Sequence, residues 1–390
     1  MKRFENIFRI IFIAIIGFFL TITAQAQTEQ RNEMDSVEIG LITCSPHEEI
    51  YSLYGHTAIR YHDLRTGMDC VFNYGVFNFK APHFVTRFVF GLTDYELGIA
   101  PTMPFLEYYA QWGSQVTEQV LNLTLEEKQQ ITLALQINYM PENRVYRYNY
   151  FYDNCSTRPR DIIEQNLKGK LVYHPRADYT PTYREMVHAH TKGHPWSTFG
   201  IDLLLGIKSD FKTTMRQQEF LPDNLRYDFD HASIEREGRE EPLVKERRQL
   251  IPPGIQVVEQ DFPLSPTICG VILLLLSLVV LLYEYVRKTT ARYFDVLLML
   301  PTGLAGVVLF LMIFSQHPTT SLNLQILVLN PLALFFIWPV WKQRKTKWFL
   351  ISAVLTIIFL IGSFWQDYAE GMELLALCLL LRCMRHYNDK

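Results

Sequence analysis

At 390 residues the chain is long enough for more than one domain, and 37 basic against 40 acidic side chains leave a formal charge of −3. That balance excludes the strongly basic surface of a nucleic-acid binder. The near-neutral average hides two unlike halves: up to about residue 260 the chain reads as a soluble domain rich in Tyr and Phe, and beyond it apolar runs of membrane-spanning length dominate.

The chain opens as an export signal. Met1-Lys2-Arg3 through Arg9 is basic, Ile10 to Ile22 is apolar, and Ala24-Gln25-Ala26 fits a small-residue cleavage site after Ala26. An uncleaved signal-anchor is the alternative; either way residues 27–231 are expected outside the cytoplasm. Val37 to Thr43 fits a strand, and Ser45 to Glu49 a turn. Two runs, Tyr54 to Asp63 and Cys70 to Gly75, flank the turn residues Arg65 to Asp69 and predict a hairpin that brings Asn73 near His56. Residues 76–115 read as irregular and aromatic-rich, with Phe77, Phe79, Phe84, Phe88 and Phe90 supplying either core or a groove for an acyl chain. Thr124 followed by Glu127 is a capping box opening a helix to Asn138, and Arg144 to Tyr152 looks extended.

The stretch Tyr150-Phe151-Tyr152-Asp153-Asn154-Cys155-Ser156-Thr157-Arg158-Pro159-Arg160-Asp161 then places a cysteine at a helix start. Asn154 is a favoured N-cap, Pro159 is tolerated only near a helix start, and Ile162, Ile163 and Leu167 supply the apolar face. Free N–H groups and the positive end of the helix dipole favour thiolate there, and Arg158 and Arg160 add positive charge. A lone cysteine also fits a small buried hydrophobe; a matching base elsewhere is what favours the reactive reading.

The exported half holds three cysteines, Cys44, Cys70 and Cys155, so at least one thiol is unpaired. Cys44 and Cys70 could pair and leave Cys155 free. No Cys/His spacing suggests a metal site, no cofactor is called for, and His188, His190 and His194 fit structural roles better than a zinc site. Residues 232–265 are expected to be a charged linker. Five apolar segments follow, about 267–286, 294–314, 322–341, 348–365 and 371–385, within a membrane domain spanning 266–390. Arg287, Lys288 and Arg292, then Lys342, Arg344, Lys345 and Lys347, lie in alternate connections, while 315–321 and 366–370 carry no Lys or Arg. The positive-inside rule puts the basic loops in the cytoplasm, in agreement with an exported first half and a multi-pass protein of the bacterial inner membrane. Asp295, Glu370 and Glu373 lie near segment ends, where snorkelling explains them, and Asn330 beside Pro331 marks a kink or pocket.

A cysteine at a helix start with a strand histidine makes the thiol–imidazole pair of papain-like sites. His56 is the best partner, following Gly55 and opening a strand; Asn73 could accept from its other ring nitrogen and fix the tautomer. The order, His before Cys, is that of a circularly permuted papain-like fold. Gly55-His56-Thr57-Ala58-Ile59-Arg60, Asn73 to Phe79 and Asn154 to Asp161, together with Trp196 to Gly206 and Phe220 to Leu225, resemble the Lnb-type family of Bacteroidota. More distantly the arrangement is similar to NlpC-type and lecithin:retinol acyltransferase-type thiol enzymes. The resemblance implies an α+β, permuted papain-like periplasmic domain followed by an all-α membrane domain of about five helices. It implies lipoprotein N-acylation: a fatty acyl chain moves, through a Cys155 thioester, from a membrane phospholipid to the N-terminal amine of a diacylated lipoprotein. His56 would act as base and Asn73 as its orienter, with Arg60 and Arg158 as phosphate contacts. The rival readings are a membrane-anchored cysteine peptidase or amidase acting on peptidoglycan, and a non-enzymatic envelope assembly protein.

Overall fold

The computed structural model of the chain describes residues 33–49, 52–77, 82–256 and 262–387; the expected export signal at 1–26 lies outside the described residues. The first elements are β1 (Val37–Cys44), β2 (His56–Asp63), β3 (Met68–Val76), α1 (Phe84–Val89), β4 (Asp94–Pro101), α2 (Thr102–Gln111), β5 (Val116–Leu121), α3 (Leu125–Tyr139) and β6 (Val145–Arg147). Then come α4 (Thr157–Gln165), β7 (Lys170–Val172), α5 (Tyr183–His190), α6 (Pro195–Leu204), α7 (Met215–Gln218), α8 (Pro222–His231), β8 (Ser233–Arg236), β9 (Arg239–Pro242) and β10 (Val244–Ile251). The C-terminal region is helical: α9 (Pro266–Arg287), α10 (Arg292–Met312), α11 (Ala333–Trp341), α12 (Trp348–Gly362) and α13 (Met372–Tyr387).

Seven antiparallel strands form one sheet in the order β10-β5-β1-β2-β3-β4-β6. Alternate residues of a strand point to opposite faces. Ile39 and Leu41 meet Ile131 and Leu135 of α3, Ile163 of α4 and Phe229 of α8. Ile42 and Cys44 meet Phe105, Leu106 and Tyr109 of α2 on the other side. With both faces covered, β1 reads as a continuous apolar run rather than an alternation. The same geometry corrects one expectation. Cys44 belongs to the α2 face and Cys70 to the opposite one, both as free thiols, so the sheet itself lies between them and no bridge can form.

The hairpin and the α3 capping box are where the sequence puts them; Thr124 N–H donates to Glu127 at 2.7 Å and Glu127 N–H to Thr124 at 3.2 Å. The described residues of 76–115 are not irregular, since they hold α1, β4 and α2. Within β4 only Leu97 is fully buried, so its strand character comes from pairing with β3 and not from its own pattern. Within 232–265, expected as a linker, residues 233–251 form β8, β9 and β10, and β10 pairs with β5 as the sheet's edge. Its charges are cross-element bonds: Arg248 holds Glu38 at 2.6 and 3.0 Å, and Arg247 holds Asp230 at 2.5 Å. Charged edge strands resist stray pairing, and for the same reason they look like solvated linker in sequence.

In the helical region, α9 and α10 are long and apolar enough to cross a membrane. Exposed Leu275, Val279 and Leu282 make α9 apolar on its outward side, as a bilayer requires. The other apolar segments hold shorter helices. The segment 322–341 is not one span: a 3₁₀ turn at Leu324–Leu327 precedes α11, with the break at Asn330-Pro331. Proline disfavours helix at the residue before it, and the Asn330 side chain accepts the Leu332 N–H at 3.0 Å. Asp295 does not snorkel. It is enclosed, and buried Arg382 bonds it at 2.7 Å and Glu284 at 2.6 and 2.7 Å.

The two regions meet through α6. Phe199, Leu203 and Leu204 pack on Leu309, Val328 and Phe359. Gly206 N–H donates to Thr319 O at 2.8 Å and Ile207 N–H to Leu322 O at 2.9 Å; Gln325 reaches Asp202 O at 2.8 Å and Gln366 reaches Leu205 O at 3.2 Å. A Cβ on Gly206 would lie 2.2 Å from Leu322 O, so only glycine permits this approach. These contacts use the connections without Lys or Arg. The basic connections gather elsewhere: Arg292 reaches Trp341 O at 3.2 Å and Arg385 reaches Thr289 O at 3.0 Å. Arg184 of α5 braces α6 from behind, bonding buried Asp202 at 2.7 Å and half-buried Asp210 at 2.6 Å. Arg184→Ala takes the guanidinium from buried Asp202, which keeps only His188, and from half-buried Asp210, a loss of about 3 kcal/mol. Limited proteolysis of the full chain is expected to cut between α5 and α7 in the variant and not in the native protein.

Candidate active site

Cys155 sits on a turn between a buried aromatic, Phe151, and α4. Phe151 packs with Tyr183, Phe220 and Leu221. The turn is held by the Asn154 carboxamide. Its oxygen accepts Ser156 N–H at 2.8 Å and Thr157 N–H at 3.0 Å, and its nitrogen donates to Tyr150 O and Phe220 O, each at 2.9 Å. Asn154 therefore caps α4 as the sequence suggests, from three residues before the first helical residue rather than adjacent to it. Cys155 lies inside this capping turn, partly exposed. No acceptor among the described residues takes its own N–H.

The hairpin brings the base. His56 opens β2, and its Nε2–H donates to Asn73 Oδ1 at 2.7 Å, because an amide oxygen can only accept. Paired residues run from Asp63/Met68 to Ile59/Phe72. Continuing that register sets Ala58 opposite Asn73 and makes Asn73 the diagonal neighbour of His56 on the same face. The other ring nitrogen is left to hydrogen-bond the Cys155 sulfur. Regular pairing of β2 with β3 stops at Ile59/Phe72, and β3 bulges between Tyr74 and Val76. The strands open there, and the Thr57 N–H hydrogen-bonds the Cys155 sulfur. Thr57 and Ser156 hydroxyls meet at 3.0 Å in full burial, tying the strand to the residue after the cysteine. A Cβ on Gly75 would lie 2.7 Å from His56 Cε1, so a side chain there would push the imidazole aside. Tyr109 of α2 lies parallel to the imidazole at 6.3 Å and Phe105 at 6.5 Å, flanking it from the sheet face.

The electrostatics favour an ion pair. Burial pushes the Cys155 thiol up, but the His56 imidazolium and hydrogen bonds from His56, Thr57 N–H and Ser156 outweigh it, and its pKa lies below the ordinary thiol value. Burial pulls His56 down, and the Cys155 thiolate and Asn73 outweigh it in turn, so its pKa is raised. Cys44, opposite His56 in β1, is pushed well up by burial and stays a thiol. Burial above all, with the thiolate's charge among the lesser causes, also raises Tyr95, Tyr146 and Tyr150, which remain neutral phenols around the sulfur. The arrangement holds a deprotonated sulfur next to a proton carrier whose tautomer is fixed, the requirement for thiol nucleophilic chemistry.

The structure thus brings Cys155, His56 and Asn73 together. Arg60 is taken by Asp69 at 2.6 and 2.8 Å and by Glu118 at 2.9 Å, and a phosphate would have to displace both carboxylates. Arg158 bonds Asp153 at 2.6 and 2.8 Å and lies over the Tyr146 ring. His62 is at the far end of β2, opposite Glu38 and Asp69. His188 pairs with Asp202 at 2.7 Å, His190 with Leu53 O at 3.2 Å and His194 with Glu48 at 3.7 Å, three separate partners. Sequence reasoning missed the Thr57 N–H, Ser156 and Gly75. A glycine two residues after the orienting Asn, at a strand end, was the available signal for Gly75.

Two family descriptions match this chain: Lnb N-terminal periplasmic domain over residues 24–189, and Lnb transmembrane domain over residues 257–390. The chain belongs to the Lnb family. It is a membrane protein with a periplasmic part, and the family places it in lipoprotein processing. No curated protein and no solved structure matches it. The Lnb periplasmic match contains His56, Asn73 and Cys155 together, and the transmembrane match contains all five C-terminal helices.

Alkylation of this Lnb protein by iodoacetamide is expected at Cys155, with a pH limb below the ordinary thiol pKa of about 8.5. His56→Ala removes the imidazolium that opposes burial, so the limb moves upward. Gly75→Ala displaces the ring without removing it, and the limb moves the same way in a folded protein. A limb unmoved by either change would mean that His56 does not set the charge of Cys155.

Proposed function

We propose that this Lnb protein is a thiol-dependent lipoprotein N-acyltransferase, with Cys155 as nucleophile, His56 as acid–base and Asn73 as the residue that fixes the imidazole. The observation that carries the reading is the His56 imidazole, bonded to Asn73 at 2.7 Å and holding the Cys155 thiol below its ordinary pKa against burial. A histidine strand preceding a cysteine at a helix start fits a permuted papain-like domain, and the five apolar segments fit a five-helix membrane domain beneath it.

The Cys155 thiolate attacks the ester carbonyl of a bilayer phospholipid. The carbonyl oxygen becomes an oxyanion beside the free Cys155 N–H, with the Thr57 N–H as the neighbouring donor. The intermediate collapses, the C–O bond breaks, and the lysophospholipid oxygen leaves with the proton of the His56 imidazolium. The product on the enzyme is a thioester. The α-amino group of a diacylated lipoprotein, with an ordinary pKa of about 7.7–8.0, then attacks it. His56 takes the amine proton, an amide forms, and the thiolate is regenerated, which completes a ping-pong cycle.

The contacts of α6 with the uncharged outer connections of the helices support a bilayer-embedded substrate over peptidoglycan, because they seat the thiol-bearing domain directly on the membrane domain. The test is mass spectrometry of a lipoprotein's N-terminal peptide from a host that lacks its own N-acyltransferase. Native protein is expected to add one acyl chain and Cys155→Ala none. His56→Ala is expected to lose about 10²–10⁴-fold in rate. Correctly inserted native protein that adds no acyl chain while cleaving peptidoglycan stem peptides would replace this reading with the wall-amidase one.

A further inference from the structure

A cleft of about 440 Å³ runs along α4 from the turn that carries Cys155. One wall is a single stripe of that helix: Arg158, Asp161, Ile162, Gln165 and Asn166 recur at the three- and four-residue spacing of one helix face. Helical bonding begins before α4 proper, since Arg158 N–H donates to Asn154 O and Arg160 N–H to Ser156 O, each at 3.2 Å. Cys155 is therefore one turn ahead of Arg158, and Tyr152 and Asp153, just before the cysteine, line the cleft too. Ala134 and Asn138 of α3 form the other wall. From Cys155 to Asn166 is about 16 Å at about 1.5 Å per residue, the length of about five residues of extended chain.

Tyr74 of β3 is the strand residue in the lining. Its ring belongs to the main core, but its hydroxyl, on a residue 1% exposed, has no hydrogen-bond partner among the described residues. Buried hydroxyls are as a rule paired, so this one is a polar group reserved for whatever fills the cleft. The Tyr146 hydroxyl bonds the Tyr74 backbone oxygen at 3.0 Å, which holds the residue without using its side chain. The other polar groups offer both kinds of bond. Asn138 and Asn166 spend a nitrogen on Ala134 O at 3.1 Å and Ile162 O at 2.7 Å, which leaves their carboxamide oxygens as acceptors. Arg158 Nη1 and the Gln165 carboxamide are donors with no acceptor among the described residues. A phosphate only accepts, and Arg158 is already matched by Asp153. An acyl chain does neither, and Ala134 and Ile162 are the only aliphatic residues in the lining. A polypeptide backbone presents an N–H and a C=O at nearly every residue.

We propose that the α3–α4 cleft binds the polypeptide of the acceptor lipoprotein, the residues that follow its modified cysteine, with the Tyr74 hydroxyl bonding their backbone. The proposal rests on the acyltransferase reading for the identity of the ligand: an acceptor whose α-amine stands at Cys155 must carry its chain away from there, and the cleft begins one helical turn on. Full-length Cys155→Ala protein in lipid nanodiscs is mixed with a synthetic diacylglyceryl-cysteine pentapeptide carrying benzoylphenylalanine at its fourth residue, irradiated, and mapped by peptide mass spectrometry. Crosslinks are expected on the peptides holding 134–138 and 158–166. With native protein, KM for N-acylation is expected to fall about tenfold from a diacylglyceryl-cysteine amide to the pentapeptide, the worth of one or two hydrogen bonds. Gln165→Trp fills the cleft from an exposed helix position and is expected to abolish both that length dependence and the crosslinks. Tyr74→Phe removes only the hydroxyl and is expected to lessen the length dependence several-fold. Iodoacetamide alkylation of Cys155 reports that either variant's site is formed. Crosslinks confined to other elements, or a native KM indifferent to peptide length, would overturn the cleft. Crosslinks that an unlabelled peptidoglycan disaccharide removes and unlabelled lipopeptide does not would overturn the choice of a polypeptide. Cleft crosslinks in Cys155→Ala beside a native protein that N-acylates nothing would leave the peptide site standing and remove the transfer reading instead.

Discussion

One carboxamide holds the site in place. Asn154 uses both lone pairs of its oxygen and both hydrogens of its nitrogen, on Ser156, Thr157, Tyr150 and Phe220. The first two bonds cap α4, and the last two pin the turn to its own approach strand and to the segment before α8. An isolated helix cap contributes about 1 kcal/mol, but this one also fixes where a thiol points. Because Ser156 N–H is consumed by the cap, the Cys155 N–H is the amide left facing outward. The sulfur and the free amide are thus set by the same side chain, and a change in either bond group moves both.

The second constraint is the opening of the sheet. A closed β2–β3 ladder would engage the Thr57 backbone in strand pairing. The bulge between Tyr74 and Val76, and the absent side chain at Gly75, part the strands and make room for the imidazole between them. His56 and Asn73 stand on the α2 face of the sheet, while Ser156 and α4 belong to the other side. The two halves of the site can meet only at the sheet's end, where the strands have separated.

These particulars explain what could be read from the sequence. The hairpin, the capping box and the pairing of His56 with Asn73 and Cys155 were legible because each rests on local chemistry: turn residues, a four-residue cap, residue types that suit a thiol site. The bulge at Gly75 was not, since it depends on where β4 pairs. Nor was β10, whose Arg248 finds a carboxylate on β1, 210 residues away in sequence. Cys44 and Cys70 look like a pair by count and are separated by a face alternation that only the register reveals. Segment 322–341 has the composition of a span, and the break at Pro331 was foreseen only as a kink. The charge alternation between the apolar segments, in contrast, was visible in the sequence alone. The structure adds that the uncharged connections are those docked on the β-rich domain, whereas the basic ends are joined to one another.

The ion pair at the site has a consequence for the proposed cycle. In the resting protein His56 is raised because a thiolate faces it; burial by itself would lower it. Acylation removes that thiolate by turning it into a neutral thioester. The attraction that held the proton on the ring disappears, the burial stays, and the His56 pKa falls. The proton has meanwhile left with the lysophospholipid oxygen, so the ring enters the second half-reaction neutral and disposed to remain so. It is then a base when a protonatable amine arrives, and it was an acid when an alkoxide had to leave. Asn73 accepts from the same ring nitrogen in both states, which keeps the other nitrogen aimed at the reacting atoms. The switch from acid to base therefore needs no rearrangement of the protein: the covalent state of Cys155 sets the charge of His56.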